Sequence, residues 1–155
     1  MNEEVKETLS IDQLVQSLIG AAKNEEWEKV DEKLVPRLEE VDRSKVAQRL
    51  LSYVDDKDPN VRDVVATSLA ALRISDEEVR KRAIDGMMTM ATEDEAMFPA
   101  GRAAVFLLRH QHDEGFEDQI ESALSVFKDR VREKGWRSVL SINIPRLRKF
   151  FSESE

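Results

Sequence analysis

Residues 50–72 read LLSYVDDKDPNVRDVVATSLAAL, and this stretch decides the fold. An aliphatic run is followed by an acidic turn that ends at Asp58. Pro59 comes next, and the first position of a helix tolerates proline because its N–H has no intrahelical partner. From Val61 to Leu72 apolar residues recur at helical spacing. The stretch therefore predicts two helices joined by a capped turn.

The proline–arginine spacing of this stretch occurs three times along the chain. The pairs are Pro59/Arg62, Pro99/Arg102 and Pro145/Arg148. Each pair is expected to open a hydrophobic helical run, and the prolines are 40 and 46 residues apart. Self-similarity at such a period is typical of helical-repeat proteins, in which one repeat is a pair of helices. The repeat indicates a helical-repeat architecture. It does not indicate which partner the protein binds.

Outward from this stretch, helical spacing continues along the whole chain. We predict an all-α fold of eight helices in four antiparallel pairs, stacked as a short superhelix. Pro36 lies inside an apolar stripe, so we expect a kink or break near Val35. The predicted organisation is an acidic, disordered segment at 1–9, a single helical-repeat domain at 10–151 and a frayed C-terminus at 152–155.

Residues 50–72 closely resemble a HEAT repeat, with the acidic turn, Pro59 and Val61-Arg62 in the order of that family. The segments DEEVRKRAIDGM at 76–87 and FPAGRAAVFLL at 98–108 repeat parts of the pattern. The resemblance covers residues 50–110 well and the remainder only in helix length and pairing. It implies a HEAT-like α-solenoid.

The resemblance also implies roles for individual residues. Asp58 would cap its helix, and Arg62 and Arg102 would tie adjacent turns together. The second helices of the pairs would line a concave side. Exposed Arg73 and Arg109 on those helices are the contact candidates.

The composition favours amphipathic helices and excludes several kinds of site. Of 155 residues 36% are charged, and the formal net charge of −8 argues against uniform nucleic-acid binding. The absence of cysteine excludes disulfides, thiolate metal sites and cysteine nucleophiles. We expect no signal peptide in MNEEVKETLS, no membrane span and a cytoplasmic protein with no membrane partner.

The run His110-Gln111-His112-Asp113-Glu114 is the one cluster with metal-ligand chemistry. Its histidines are two residues apart, which on a helix points them about 200° apart, so they cannot share an ion. The sequence has no Gly-rich phosphate loop, nucleophile elbow or nucleotide fingerprint. We therefore expect no metal, no cofactor and no enzymatic activity.

Four methionines lie close together in the sequence: Met87, Met88, Met90 and Met97. One interpretation is core packing, which we favour. The other is an adaptable peptide-binding groove, because methionine-rich surfaces repack around partners.

Charge is unevenly distributed along the chain. Residues 128–155 carry 8 basic and 4 acidic side chains, whereas the rest carry 16 basic and 28 acidic. The basic members are Lys128, Arg130, Arg132, Lys134, Arg137, Arg146, Arg148 and Lys149. One interpretation is a patch for phosphates or an acidic protein surface, with Arg130, Lys134 and Arg137 as contact candidates. The other, which we favour, is a solvated end cap above a buried Trp136.

From these observations we expect a non-enzymatic protein–protein interaction module or adaptor that binds another protein through a helical-repeat surface. The alternative is a nucleic-acid-binding HEAT-like protein that uses the basic segment 128–149. A HEAT-like enzyme, similar to the bilin lyases, is the least favoured reading because no nucleophile or metal site is found. A homodimer that buries Leu147, Phe150 and Phe151 is a further alternative.

Overall fold

The computed structural model describes the backbone of residues 3–153 and the side chains of residues 10–153. This part of the chain has 9 α-helices and no strand, so the predicted all-α class is confirmed. The α-helices are α1 (Glu3–Lys23), α2 (Trp27–Lys29), α3 (Arg43–Leu51), α4 (Pro59–Ala71), α5 (Glu77–Glu93), α6 (Met97–Arg109), α7 (Glu117–Lys134), α8 (Arg137–Asn143) and α9 (Leu147–Ser152). A π-helical segment, Val30–Leu34, and a 3₁₀ segment, Val35–Glu40, lie between α2 and α3.

The chain divides into two compact units, Met1–Ala83 and Ile84–Glu155, and the single domain expected over 10–151 stays a prediction. The boundary lies inside α5. At the N-terminus the backbone is helical from Glu3, within the segment 1–9 that we predicted to be disordered. Residues 1–2, and residues 154–155 of the predicted frayed end, lie outside the described residues.

The first unit is built around α1, which packs against α3 and α4. Apolar residues three and four positions apart give α1 one buried face. Large side chains that are fully buried in this unit include Leu14, Leu18, Leu38, Leu50 and Leu69. At the edge of this core, Arg49 pairs with Asp12 at 3.1 Å.

The segment 27–40 departs from a regular α-helix. After α2 the backbone continues as a π-helix and then tightens to a 3₁₀-helix from Val35. The change falls beside Pro36, which has no N–H to donate and whose ring clashes with a preceding α-helical turn. The kink or break predicted near Val35 takes the form of this change in helix type.

The turn before α4 has the geometry predicted from the sequence. The Asp58 carboxylate accepts a hydrogen bond from the Asn60 N–H at 2.9 Å, and Pro59 is the first residue of α4. Arg62 Nη1 donates to the carbonyl oxygen of Asp56 at 2.9 Å. The cap is therefore confirmed, and the second bond ties Arg62 to the turn that precedes its own helix.

The other two prolines of the repeat do not begin helices. Pro99 is the third residue of α6 and is buried, and Pro145 lies two residues before α9. A proline fits the first turn of a helix because the N–H groups there have no intrahelical acceptor. Pro99 therefore lies inside the first turn of its helical run, and Pro145 lies just before its run, whereas Pro59 occupies the first helical position.

Aspartate side chains bind main-chain N–H groups just before α5 and α6. The Asp76 carboxylate accepts from the Val79 N–H at 3.0 Å, which caps the start of α5. The Asp94 carboxylate accepts from the Ala96 N–H at 2.9 Å, in the turn between α5 and α6.

In the second unit, α6 packs against α7 and α8, and α8 packs against α9. Gly101 permits the close approach of α6 to α8. A Cβ atom at this position would lie 2.8 Å from Leu140 Cδ2 and 3.0 Å from Ile144 Cδ1. A side chain at this position would therefore force the side chains of Leu140 and Ile144 to shift.

The apolar end of the chain is covered within the second unit. Leu147 and Phe151 are buried and Phe150 is half-buried. The ring centroids of Phe150 and Phe151 each lie 6.3 Å from that of Phe127. Leu147 and Phe151 are therefore already covered within their own unit, and the alternative of a homodimer through these residues stays a prediction. Across residues 3–153, none of the helices is both long enough and apolar enough to cross a membrane.

Candidate interaction surface

Helix α7 carries the candidate surface, which lies wholly within the second unit. Its apolar residues occupy one side, where Ile120, Phe127 and Val131 are buried. Gly135 ends the helix in the left-handed conformation, with a φ of 69°. The Trp136 N–H donates to the carbonyl oxygen of Val131 at 3.0 Å, which completes the helix end. The buried side determines which side chains of α7 reach the surface.

Five side chains form a line along α7 beside its buried face. They are Glu117, Glu121, Ser125, Lys128 and Arg132, and together they are termed the α7 stripe. Spacings of three and four residues keep them on one side of the helix. At about 1.5 Å of rise per residue the stripe is about 22 Å long. Its charge changes from negative to positive along the helix.

A groove of about 600 Å³ lies beside the acidic half of the stripe and is termed the acidic groove. Three carboxylates, those of Glu117, Glu121 and Glu153, line it against one basic side chain, that of Lys128. Three negative charges against one positive charge leave a net of two negative charges. The ring of Phe150 adds an apolar wall.

A second groove of about 620 Å³ lies beside the basic half and is termed the basic groove. Lys128, Arg132 and Arg137 line it against one carboxylate, that of Asp129, which leaves a net of two positive charges. Phe151 contributes apolar surface. Because Ser125 and Lys128 line both grooves, the two grooves are adjacent.

The cations of the basic half also make contacts inside the chain. Arg132 Nη2 lies 2.5 Å from Asp129 Oδ1, and the two side chains are 77% and 58% exposed. The Lys128 ammonium lies 4.4 Å from the centroid of the Phe150 ring. An exposed pair contributes little to stability, and a guanidinium has five N–H donors. Arg132 therefore keeps hydrogen-bonding capacity for a partner.

Arg130, a predicted contact residue, has a different position. It is half-buried, and its guanidinium donates to the carbonyl oxygens of Ala91 at 2.9 Å and Asp94 at 2.6 Å. The same guanidinium lies 5.3 Å from the Trp136 ring centroid, and Lys134 Nζ lies 5.6 Å from it. Trp136 is half-buried between side chains of its own unit rather than buried beneath the last helix. Arg130 and Lys134 thus make intramolecular contacts.

The other predicted contact residues are dispersed. Arg137 lines the basic groove, as its sequence context suggested. Arg109 is exposed at the end of α6, and Arg73 is exposed in the first unit; neither is among the lining residues of the two grooves. Arg148 is exposed and its Nε donates to the carbonyl oxygen of Ser141 at 2.7 Å. Half-buried Arg102 lies within α6.

The two histidines of the cluster have different surroundings. His110 is buried, its Nδ1 lies 2.7 Å from Asp113 Oδ2, and its ring stacks on Phe106 with centroids 4.3 Å apart. His112 is exposed and lines the acidic groove. In the part of the chain that the structure describes, no three His, Cys, Asp or Glu side chains are placed to hold a metal ion.

The methionines divide between core and partial exposure. Met87 and Met90 are buried, as core packing requires. Met88 and Met97 are half-buried, and neither lines the two grooves described above. No methionine is therefore among the residues that line the two grooves.

The acidic half of the surface is not among the residues predicted from the sequence. Glu117, Glu121 and Glu153 were counted only as part of the overall negative charge. A signal was present, since EDQIESALSVFKDR at 117–130 changes sign along one helix. The contribution of Glu153 could not be read locally because it depends on where α9 packs. The chain matches no protein-family model, no curated protein and no solved structure.

Proposed function

We propose that this chain is a non-enzymatic protein-interaction module that binds a segment of another protein along the α7 stripe. The observation that carries this proposal is the pair of adjacent grooves with opposite net charge. A bound segment would place its basic residues beside Glu117 and Glu121, and its acidic residues beside Lys128 and Arg132. Charge order along the segment would thus distinguish the partner from segments of the same composition.

The dimensions of the surface support this proposal. A stripe of about 22 Å matches a helical segment of about 15 residues or an extended segment of about seven. Phe150 and Phe151 line one groove each, so apolar contact is available beside the charges. Most lining residues lie on helices, so little ordering of the chain is needed on binding.

Nucleic-acid binding through residues 128–149 is the less favoured proposal. Single-stranded binders stack bases on accessible aromatic rings, whereas two cations of the same chain already lie against Trp136. Arg130 is held by main-chain carbonyls. The acidic groove next to the basic one would also repel phosphates.

Membership of the HEAT-like family stays a proposal, as does the antiparallel pairing of the helices. Family membership is supported by one turn only, that between α3 and α4. This turn has the Asp58 cap, Pro59 at the first helical position and the bond from Arg62 to the Asp56 carbonyl oxygen. The cytoplasmic location expected from the sequence likewise stays a prediction.

The test is capture of partners from lysate of the source organism with immobilised protein, with and without nuclease. Three proteins are compared: the natural chain, Glu121→Lys and the matched control Glu133→Lys. Glu133 is exposed on α7 and is not among the groove-lining residues, so both variants change the net charge equally. We expect one captured protein to stay bound to the natural chain and to Glu133→Lys after nuclease treatment. The same protein should not bind to Glu121→Lys.

Two outcomes would contradict the proposal. Retention of the same protein by Glu121→Lys would remove the α7 stripe from the binding surface. Loss of all capture on nuclease treatment would favour the nucleic-acid alternative. Melting temperatures of the three proteins should agree, because both substituted positions are exposed.

A further inference from the structure

We infer that the α7 stripe is self-complementary and that it binds the α7 stripe of a second copy of this chain. This inference rests on the proposed function, because it assumes that the stripe is an interaction surface, and it names one occupant. The stripe has two carboxylates at one end and two cations at the other. An antiparallel copy of the same stripe supplies the opposite charge order.

The register follows from the spacing of the stripe. A two-fold axis between Leu124 and Ser125 brings Glu117 opposite Arg132 of the second copy. The same axis brings Glu121 opposite Lys128 of the second copy. In a two-fold interface every pair occurs twice, so each cation of both stripes faces a carboxylate. A parallel arrangement would instead place like charges together.

The residue beside the axis suits this arrangement. Ser125 is exposed and small, so two helices can approach closely where they cross. Arg132 can hold Asp129 of its own chain and a carboxylate of the second copy, because its guanidinium has several donors. Phe150 in the acidic groove adds apolar contact at the edge.

The inferred interface is largely polar, which determines how the dimer should behave. Exposed ion pairs are screened by salt, so association should weaken as ionic strength rises. A dimer formed through the apolar C-terminal end of the chain would respond little to salt. Salt dependence therefore separates the two modes of self-association.

Sedimentation equilibrium of the full chain provides the first test, at low and high salt and over a range of protein concentrations. The proteins are the natural chain, Glu121→Lys, Lys128→Glu and an equimolar mixture of the two variants. At low salt we expect the mass of the natural chain to rise above 17.8 kDa with concentration. Each variant alone should associate at least about tenfold more weakly, because two attractive pairs become repulsive.

The mixture is the decisive sample. In a mixed pair, the lysine introduced by Glu121→Lys faces the glutamate introduced by Lys128→Glu. At the symmetry-related position, the natural Lys128 of the first variant faces the natural Glu121 of the second. Both pairs are attractive again, so we expect the mixture to regain the association of the natural chain. A mixture that associates no more than the separate variants would overturn the inferred register.

Disulfide trapping provides a second measurement that does not depend on charge. The chain has no cysteine, so Ser125→Cys introduces a single thiol close to the inferred axis. On mild oxidation it should form a covalent dimer faster than the control Gln119→Cys, because Gln119 is exposed on another side of α7. Equal rates for the two variants would place the axis elsewhere.

Failure of this inference can be told apart from failure of the proposed function. A natural chain that stays at single-chain mass, with capture of another protein that still depends on Glu121, overturns self-association and retains the interaction surface. Self-association through the expected register, with lysate capture that does not depend on Glu121, supports the inference, retains the stripe as an interaction surface and overturns its binding of another protein.

Discussion

The guanidinium of Arg130 donates to the main-chain carbonyl of Asp94 at 2.6 Å, so a side chain of α7 closes the C-terminal end of α5. A second bond, to the carbonyl of Ala91 at 2.9 Å, completes the contact. The last carbonyls of a helix have no intrahelical donor, and positive charge is favoured there by the helix dipole. Arg130 supplies both the donors and the charge.

Arg130→Ala should therefore lower the free energy of unfolding by about 2 kcal/mol, since charged hydrogen bonds to main-chain carbonyls are lost. Urea unfolding followed by circular dichroism measures this change. The control is Arg132→Ala, which removes an exposed pair and should change stability by less than about 1 kcal/mol. Equal effects of the two substitutions would show that Arg130 does not hold α5 to α7.

Gly101→Ala should destabilise the chain by about 1 to 3 kcal/mol, because the new Cβ would overlap Leu140 and Ile144. Gly20→Ala is the control, since a Cβ there meets nothing within 4 Å. In the control the better helix propensity of alanine should leave stability unchanged or raise it by up to about 1 kcal/mol. Thermal unfolding of both variants measures the contrast, and a neutral Gly101→Ala would mean that α8 moves freely away from α6.

Asp58→Ala should lower the free energy of unfolding by about 1 kcal/mol, because the Asn60 N–H at the start of α4 loses its acceptor. Asp58→Asn should retain most of this stability, since its amide oxygen can accept the same bond. Asp55→Ala is the control in the same turn and is exposed. Chemical denaturation of the three variants measures the differences. If Asp55→Ala lowered the free energy of unfolding as much as Asp58→Ala, the effect would come from removing a negative charge in the turn and not from losing the cap.

Trp136 should not respond to single-stranded nucleic acid. In a Trp27→Phe background it is the one remaining tryptophan, so its fluorescence reports on this site alone. Because Arg130 and Lys134 already lie against its ring, a thymidine oligonucleotide should leave the emission unchanged at low salt. Quenching that disappears at high salt would instead support nucleic-acid binding through residues 128–149.

The parts of the fold that could be predicted are those fixed by a few neighbouring residues. The Asp58 cap with Pro59, and the left-handed Gly135, each depend on local backbone chemistry. Segment 27–40 could be predicted only in part, because Pro36 excludes a regular α-helix without specifying which irregular helix replaces it. The shared proline–arginine spacing was misleading because Pro99 fits inside a first turn as well as at its start.

The candidate surface was predictable only in its basic half. Arg137 follows from charge counting, but charge counting does not show that Arg130 donates to main-chain carbonyls of its own chain. The acidic groove depends on Glu153 and Phe150, which are more than 25 residues from Glu121 in the sequence and reach it only through packing of α9. Non-local packing of this kind has no local sequence signal.

The left-handed Gly135 has a consequence for how binding preference can change. It lines the basic groove and sets the direction in which the chain leaves α7 toward Arg137. An L-residue at this position is disfavoured at positive φ, so a substitution would shift the backbone that carries the rim of the groove. A substitution of Gly135 could thus change which partner is preferred. It would act by moving the main chain that carries Arg137, because Gly135 itself has no side chain to contact the partner.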